Sequence, residues 1–218
     1  MLAFVMNLET RPERWEKTQK LFLNSGMKLK RFIGKKLENG YCGTLHSTIA
    51  ILKEAIKMDL DNVLIIEDDC KLGKNWKKVW KLVKKWLDAH PKEWDIYSGG
   101  GTTILYPREV VRINDNISLY DPFFSLASHW IYISKHNYQK IIDSYTNALY
   151  WCTVVGKILP NPCITTDSCN NLLKTLVSYP FIATQYETKS DTANCTRKHK
   201  KPFEKSEKYL KELHENSS

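Results

Sequence analysis

The sequence predicts an α/β fold in which a mixed, mostly parallel central sheet is flanked by helices. Short apolar segments rich in β-branched residues alternate with longer segments whose apolar residues recur every three or four positions. The first strand segment, residues 2–8, is apolar apart from Asn7, as expected for a strand buried on both faces. Another strand segment, at residues 63–66, runs directly into three acidic residues. Open sheets of this class bind their ligands at that end of a strand.

The first half of the chain predicts alternating strands and helices. The first helix begins near Thr10, with Pro12 in its first turn, and the second covers residues 44–58. In the third, at residues 74–89, tryptophan, valine and leucine share one side while lysines fill the other, so the tryptophans are expected in the core. The strands are predicted at residues 2–8, 28–33 and 63–66.

The second half is more mixed. Residues 1–196 are expected to form one domain, and residues 197–218 a charged C-terminal segment that is partly helical, around residues 204–213. The other predicted elements are a strand at 94–97, short strands and turns at 102–121, a strand at 128–134, a helix at 135–149, an irregular connection at 151–162, a helix from 165 to 176, and a strand at 179–183.

Composition narrows the class of protein. No apolar run approaches the roughly 20 residues of a membrane span, and the N-terminus is typical of a strand rather than a signal peptide. The protein is therefore expected in the cytoplasm of a bacterium or of a virus-infected host cell. Six cysteines without a C-x-x-C pair favour free thiols over a zinc site. The net charge of +9 suits an anionic partner, whether nucleic acid, a membrane surface or a phosphorylated small molecule.

The acidic triplet Glu67-Asp68-Asp69 is the strongest chemical signal. Two carboxylates about 4 Å apart repel by about 4 kcal/mol near a protein surface, and a divalent cation relieves that repulsion. Magnesium and manganese combine one or two carboxylates with substrate phosphates. A solvated turn that binds nothing is the alternative, but the place of the triplet after a buried strand favours a metal–diphosphate site.

Three blocks, at residues 4–15, 43–47 and 63–69, agree in order and spacing with one enzyme family. They resemble glycosyltransferase family 25, which includes bacterial lipooligosaccharide sugar transferases and collagen galactosyltransferases. The resemblance extends to residues 94–97, 130–134, Asp167 and 185–191, and so covers about residues 3–192. The chain departs from the family pattern at Gly43-Thr44-Leu45-His46, where the family usually has cysteine or a similar residue after the glycine and a serine before the histidine. It also departs in the loop before Asp167.

The resemblance implies a GT-A-like, Rossmann-like nucleotide-binding fold, a UDP-sugar donor and a divalent cation, Mn²⁺ or Mg²⁺, at a DxD-like motif. It also implies transfer of a hexose, galactose or glucose, with inversion at the anomeric carbon. The acceptor would be a hydroxyl of a glycan, a glycolipid or a glycoprotein, as in lipopolysaccharide biosynthesis.

Roles for single residues follow from the motifs and the resemblance. Glu67 and Asp69 are the predicted metal ligands, and Asp68 is expected to contact the ribose or the sugar. Asp167 is the candidate catalytic base, or alternatively a helix-dipole partner. Asp95 is expected to order a turn. The other predicted nucleotide-sugar-binding residues are Asn7, Leu8, Arg11, Arg14, His46, Gln185, Ser190 and Asp191.

Two of these assignments have structural alternatives: Arg14 as a surface residue and His46 as a hydrogen-bonded core residue. For the whole chain, the alternatives are a basic module that binds nucleic acid or an anionic surface, and an inactive relative that binds a nucleotide sugar without transferring it. The shared face of the tryptophans and the missing nucleic-acid motif argue against nucleic acid. The basic surface is instead expected to attract an acidic acceptor or the anionic face of a membrane.

Overall fold

The computed structural model describes residues 1–37, 39–155, 169–170, 172–187 and 198–216. Its helices are α1 (Pro12–Phe22), α2 (Gly40–Lys57), α3 (Trp76–Ala89), α4 (Tyr138–Val155) and α5 (Lys200–Asn216), with a 3-10 turn at Lys135–Asn137. Its strands are β1 (Leu2–Asn7), β2 (Lys28–Ile33), β3 (Asn62–Glu67), β4 (Cys70–Leu72), β5 (Ile96–Ser98), β6 (Thr103–Asn114), β7 (Ile117–Leu126), β8 (Trp130–Ser134), β9 (Thr175–Tyr179) and β10 (Ala183–Gln185).

The main sheet confirms the predicted α/β class. Its strand order is β2-β1-β3-β8-β5-β9-β7-β6, and β10 pairs with β4 in a second, two-stranded sheet. Pairing is parallel within β2-β1-β3 and between β5 and β9. It is antiparallel where β8 joins β3 to β5 and throughout β9-β7-β6. The parallel part is therefore concentrated in the first half of the chain, and the sheet as a whole is mixed.

The alternating side chains of β1 and β3 divide the core into two layers. Val5 and Leu64 point to the face covered by α1 and α3, whereas Phe4 and Ile65 point to the face covered by α2 and α4. Successive strand residues face opposite sides of a sheet, so an unbroken apolar strand supplies both layers. Burial of both faces explains why the inner residues of these strands, 3–6 in β1 and 63–66 in β3, are all apolar.

Helix α3 confirms the predicted placement of its tryptophans. Trp80 is buried, and its ring meets the Tyr132 ring edge to face, with centroids 5.0 Å apart. Trp76 and Trp86 pack against the same cluster. Trp80 is therefore a core residue, and Trp76 and Trp86 are half-buried residues at the edge of the same cluster.

The second half corrects several sequence predictions. The short strands and turns expected at 102–121 are a long hairpin, β6–β7, and α4 continues through Val155 into the expected irregular connection. The helix expected as far as Leu176 is wrong at its end, because β9 pairs there with β5 and β7 and tertiary pairing overrides helical spacing. The single strand expected at 179–183 is interrupted: Tyr179 ends β9, Ala183 begins β10, and the chain bends between them, since Pro180 has no N–H to donate to a ladder.

The charged C-terminal segment forms α5, which extends beyond the expected 204–213 at both ends. Phe203 and Leu210 are buried against Phe181 and Val177, so the helix packs on the sheet through an apolar stripe. Whether residues 1–196 fold without this helix stays a prediction. Among the described residues, no helix is long and apolar enough to cross a membrane. Cys42 and Cys70 are free thiols, as predicted for cysteines without a C-x-x-C pair.

Candidate metal and nucleotide site

The candidate site lies where β1 and β3 end together. The two strands are parallel, with Met6 opposite Glu67, so Asn7 and the acidic triplet come to the same edge of the sheet. The backbone N–H of Glu67 donates to the carbonyl of His129 at 2.9 Å, which holds the start of the acidic turn against β8. This is the carboxyl edge at which open α/β sheets bind ligands.

Asp68 is bound by residues from both β1 and α1. Its Oδ2 accepts from Asn7 Nδ2 at 2.6 Å, and its Oδ1 accepts from Arg14 Nη1 at 3.1 Å. The side chains of Arg14 and Asp68 are only 16% and 11% exposed, so the alternative that Arg14 is a surface residue is excluded. Thr18 Oγ1 donates to the Arg14 carbonyl at 2.9 Å and fixes this part of α1. The pair anchors the acidic turn to the first helix.

Asn7 connects this ion pair to a second arginine. It is 2% exposed, and its Nδ2 also donates to the Arg11 carbonyl at 2.9 Å. Its Oδ1 accepts from Arg31 Nε at 2.8 Å, and Arg31 Nη2 reaches the Leu8 carbonyl at 3.4 Å. Sequence reasoning missed Arg31. The sequence shows only that Arg31 is a charged residue within a predicted strand. The register of β1 and β2, which a single sequence does not reveal, decides that it meets Asn7.

The other two acids converge on Gln185. Its Nε2 lies 3.1 Å from Glu67 Oε2 and 3.2 Å from Asp69 Oδ1. The antiparallel pairing of β4 and β10 sets Gln185 opposite Cys70. The backbone N–H of Tyr186 then donates to the Asp69 carbonyl at 2.8 Å. A residue more than a hundred positions away along the chain thus closes the acidic turn.

Burial makes this turn electrostatically unfavourable when no cation is bound. Desolvation, followed by repulsion from Asp68, raises the pKa of Asp69 to about 6, although the Gln185 hydrogen bond and Arg14 act in the opposite direction. Desolvation and the neighbouring carboxylates also raise the pKa of the buried Cys70 thiol well above its usual value. A group kept ionised against its environment in a cleft is a common mark of a functional site.

The oxygen donors here fit a hard divalent cation. Glu67 and Asp69 each direct a carboxylate oxygen at one point, the Gln185 amide nitrogen. Among the described residues, no group of three or more His, Cys, Asp or Glu side chains could hold a metal. Two carboxylates alone match Mg²⁺ or Mn²⁺ sites in which phosphate and water complete the coordination. They do not match an all-protein zinc site.

The remaining predicted residues have varied positions. Arg11 precedes α1, and its side chain is 30% exposed and 4.0 Å from Glu13. His46 is exposed on α2, which rules out a core role, and desolvation together with the positive charge of Lys35 lowers its pKa. The predicted residues that lie outside the described part of the chain are Asp167, Ser190 and Asp191.

Two further features escaped the sequence analysis. Asp95 does more than order its own turn, because its Oδ2 accepts from the Lys174 backbone N–H at 2.8 Å and from Lys140 Nζ at 2.6 Å. His129 is fully buried behind the acidic turn, edge-on to the Phe203 ring at 5.2 Å, and desolvation lowers its pKa to about 4. Its imidazole is therefore neutral at physiological pH.

No protein-family model matches the sequence, and no curated protein matches it. Among solved structures, a glycosyltransferase involved in the glycosylation of the major capsid of PBCV-1 is similar at 12% identity and a TM-score of 0.45, covering 81% of this chain and 79% of that one. A197 from STIV is similar at 10% identity and a TM-score of 0.47, covering 85% and 84%. Mannose-1-phosphate geranyltransferase from Thermus thermophilus is similar at 11% identity and a TM-score of 0.44, covering 81% and 72%. These likenesses are too remote to assign a family or an activity, so the resemblance to family 25 stays a prediction.

Proposed function

We propose that this chain is a metal-dependent glycosyltransferase that moves a hexose from a UDP-sugar to an acceptor hydroxyl. One observation carries the proposal: the Glu67 and Asp69 carboxylates converge on a single point at the carboxyl edge of β1 and β3. Two partly buried acids held at that edge suit a cation that also binds phosphate. The arginines Arg11 and Arg14 and the basic net charge suit an anionic donor.

Each residue of the site has a separate task in this proposal. Glu67 and Asp69 would hold Mn²⁺ or Mg²⁺, and the bound cation would supply Lewis-acid stabilisation of the departing diphosphate. Asn7 and Leu8, at the end of β1, would bind the nucleotide through backbone groups. Asp68 is held by Asn7 and Arg14, so we assign it first to fixing the shape of the turn. Contact of Asp68 with the ribose or the sugar stays a prediction.

Inversion requires that the acceptor oxygen attack the anomeric carbon from the side opposite the diphosphate. As the new C–O bond forms, the bond to the diphosphate oxygen breaks, and the acceptor hydroxyl must give its proton to a base. We keep Asp167 as the proposed base on the strength of the family resemblance. Gln185 would orient the two metal-binding carboxylates, because its amide contacts both. His46, Ser190 and Asp191 remain proposed donor contacts.

The test is a calorimetric titration with UDP, UDP-glucose, UDP-galactose and GDP-mannose, each with and without Mn²⁺. Wild-type protein should bind one UDP-sugar only when Mn²⁺ is present, because the cation held by Glu67 and Asp69 would offset the negative charge of the diphosphate. Asp69→Asn should lose this binding. Glu16→Gln, an exposed change on α1, should keep it although it removes the same charge.

Three outcomes separate the hypotheses. Binding to none of the nucleotides contradicts the proposed donor site and supports an interaction module. Metal-independent binding that survives Asp69→Asn contradicts the metal assignment alone. Metal-dependent binding with neither sugar transfer to any offered glycan, glycolipid or glycoprotein nor hydrolysis of the donor identifies an inactive relative.

A further inference from the structure

Helix α3 carries a concentration of positive charge that the proposed reaction does not use. Residues 70–87 contain seven lysines and no acidic residue. The helix buries Val79, Val83 and Leu87 against the sheet, so its lysines are directed to the opposite, solvent side. Six of the seven are exposed, and we call the five that lie on α3 or just before it the α3 lysine face: Lys74, Lys77, Lys78, Lys81 and Lys85.

The α3 lysine face is not neutralised by neighbouring acids. Within the part of the chain that the structure describes, no carboxylate forms an ion pair with any of its five lysines. The ion pair on this helix is between Asp88 and Lys84, which lies at the edge of the face. Lys77 Nζ donates to the Asn24 carbonyl, which is uncharged.

Helix α5 shows the usual alternative for a lysine-rich amphipathic helix. Its lysines alternate with glutamates, and three pairs lie at a spacing of four residues: Lys200–Glu204, Lys208–Glu212 and Lys211–Glu215. Such pairing keeps a helix soluble without creating a field of one sign. The net positive charge of the α3 lysine face is therefore larger than a solvated helix surface requires, and it indicates an anionic partner.

We propose that the α3 lysine face docks this protein on an anionic lipid bilayer. From Lys74 to Lys85 the helical rise spans about 16 Å. That length is within about two Debye lengths at physiological salt, so the charges act on one surface together. Each lysine close to an anionic membrane strengthens binding about fivefold. A helix packed lengthwise on the sheet offers its long outer side, which suits a flat surface.

Nucleic acid fits this surface less well. Trp80 is buried and the half-buried Trp76 and Trp86 pack against the core cluster, so α3 presents no fully exposed ring on which a base could stack. The helix also has no arginine to form bidentate contacts with base edges. Lysines act as point charges with long flexible stems, and such side chains suit headgroups of variable position. The inference rests on these charges and does not require the transferase activity.

The test is co-sedimentation of the full chain with vesicles of phosphatidylcholine alone or of phosphatidylcholine with an equal part of phosphatidylglycerol. Wild-type protein should bind only the anionic vesicles, and binding should fall steeply as salt rises from about 0.1 to 1 M. A triple variant reverses charge on the face: Lys78→Glu, Lys81→Glu and Lys85→Glu. Its affinity should fall about a hundredfold or more.

A matched control reverses the same number of exposed lysines on α5: Lys201→Glu, Lys205→Glu and Lys208→Glu. This control should keep most of the binding because its net charge equals that of the α3 variant and only the surface differs. Circular dichroism and melting temperature check that both variants remain folded. Equal losses in the two variants, no wild-type binding to anionic vesicles, or preferential binding of an oligonucleotide at equal phosphate concentration would each overturn the proposal.

Discussion

Replacing Asp69 with asparagine should stabilise the metal-free protein while it removes metal binding. The raised pKa of Asp69 means that the folded state disfavours the ionised carboxylate. Asparagine has nearly the same shape, can keep a contact with Gln185 and carries no charge, so it removes both the desolvation cost and the repulsion from Asp68. A residue whose neutral substitute raises stability is retained for a reason other than stability.

The size and pH dependence of the effect follow from the two pKa values. A change from 3.8 in the unfolded chain to about 6 in the fold corresponds to at most about 3 kcal/mol against the ionised form. Because Asp69 retains partial solvent contact, we expect about 1–2 kcal/mol. Below pH 3.8 both states are protonated and the variant gains nothing. The gain grows as pH rises from 3.8 to about 6, and it is complete above about pH 6.

The assay is thermal unfolding of wild type and Asp69→Asn in chelator at a series of pH values. At neutral pH the variant should melt about 2–8 °C higher. Excess Mn²⁺ should then raise the melting temperature of the wild type and leave that of the variant unchanged. Glu16→Gln controls for the loss of one negative charge. A gain that does not depend on pH, or a variant less stable than wild type above pH 6, would refute the electrostatic reasoning.

Three further changes test how the site is held together. Arg14→Ala should cost about 2–4 kcal/mol in urea unfolding, because it leaves the partly buried Asp68 without its cation, and a cost near zero would contradict the assigned ion pair. Gly100→Ala should cost about 1–3 kcal/mol of unfolding free energy and weaken Mn²⁺ binding, since the added methyl would lie 2.3 Å from the Ala183 carbonyl oxygen at the start of β10. Unchanged Mn²⁺ affinity would show that the position of β10 does not affect the metal site. His214→Ala should lower the free energy of unfolding by about 2–3 kcal/mol and speed amide exchange in α5, because each ring nitrogen of the buried imidazole is hydrogen bonded to the β6–β7 hairpin. Amide exchange as slow as in the wild type would show that other contacts hold the helix.

The first half of the chain was predictable because its signals are local. An apolar strand, a proline-initiated helix and an amphipathic helix each show in a window of a few residues, and α1, α2 and α3 lie close to their predicted positions. The position of the acidic triplet was equally predictable, because its three charged residues come at the end of one buried strand. Parallel pairing of β1 with β3 brings Asn7 to the triplet, a contact that the sequence analysis did not predict.

The second half was less predictable because pairing partners decide its structure. Residues 175–179 have apolar residues at a spacing that also suits a helix, but they form strand β9 because they hydrogen-bond to β5 on one side and to β7 on the other. The hairpin β6–β7 contains Pro107 and Pro122, which argue against long strands when neighbouring strands are unknown.

By itself, the sequence determined the α/β class, the two-layered burial of the central strands and the position of the acidic turn, because periodicity and charge are properties of short windows. Only the tertiary structure decided that Arg31 reaches Asn7, that Arg14 is bound to Asp68 and that Gln185 closes the turn beside Glu67 and Asp69. Those contacts join positions up to 118 residues apart. They depend on strand register and on the close approach of backbones, which no local pattern in a single sequence encodes.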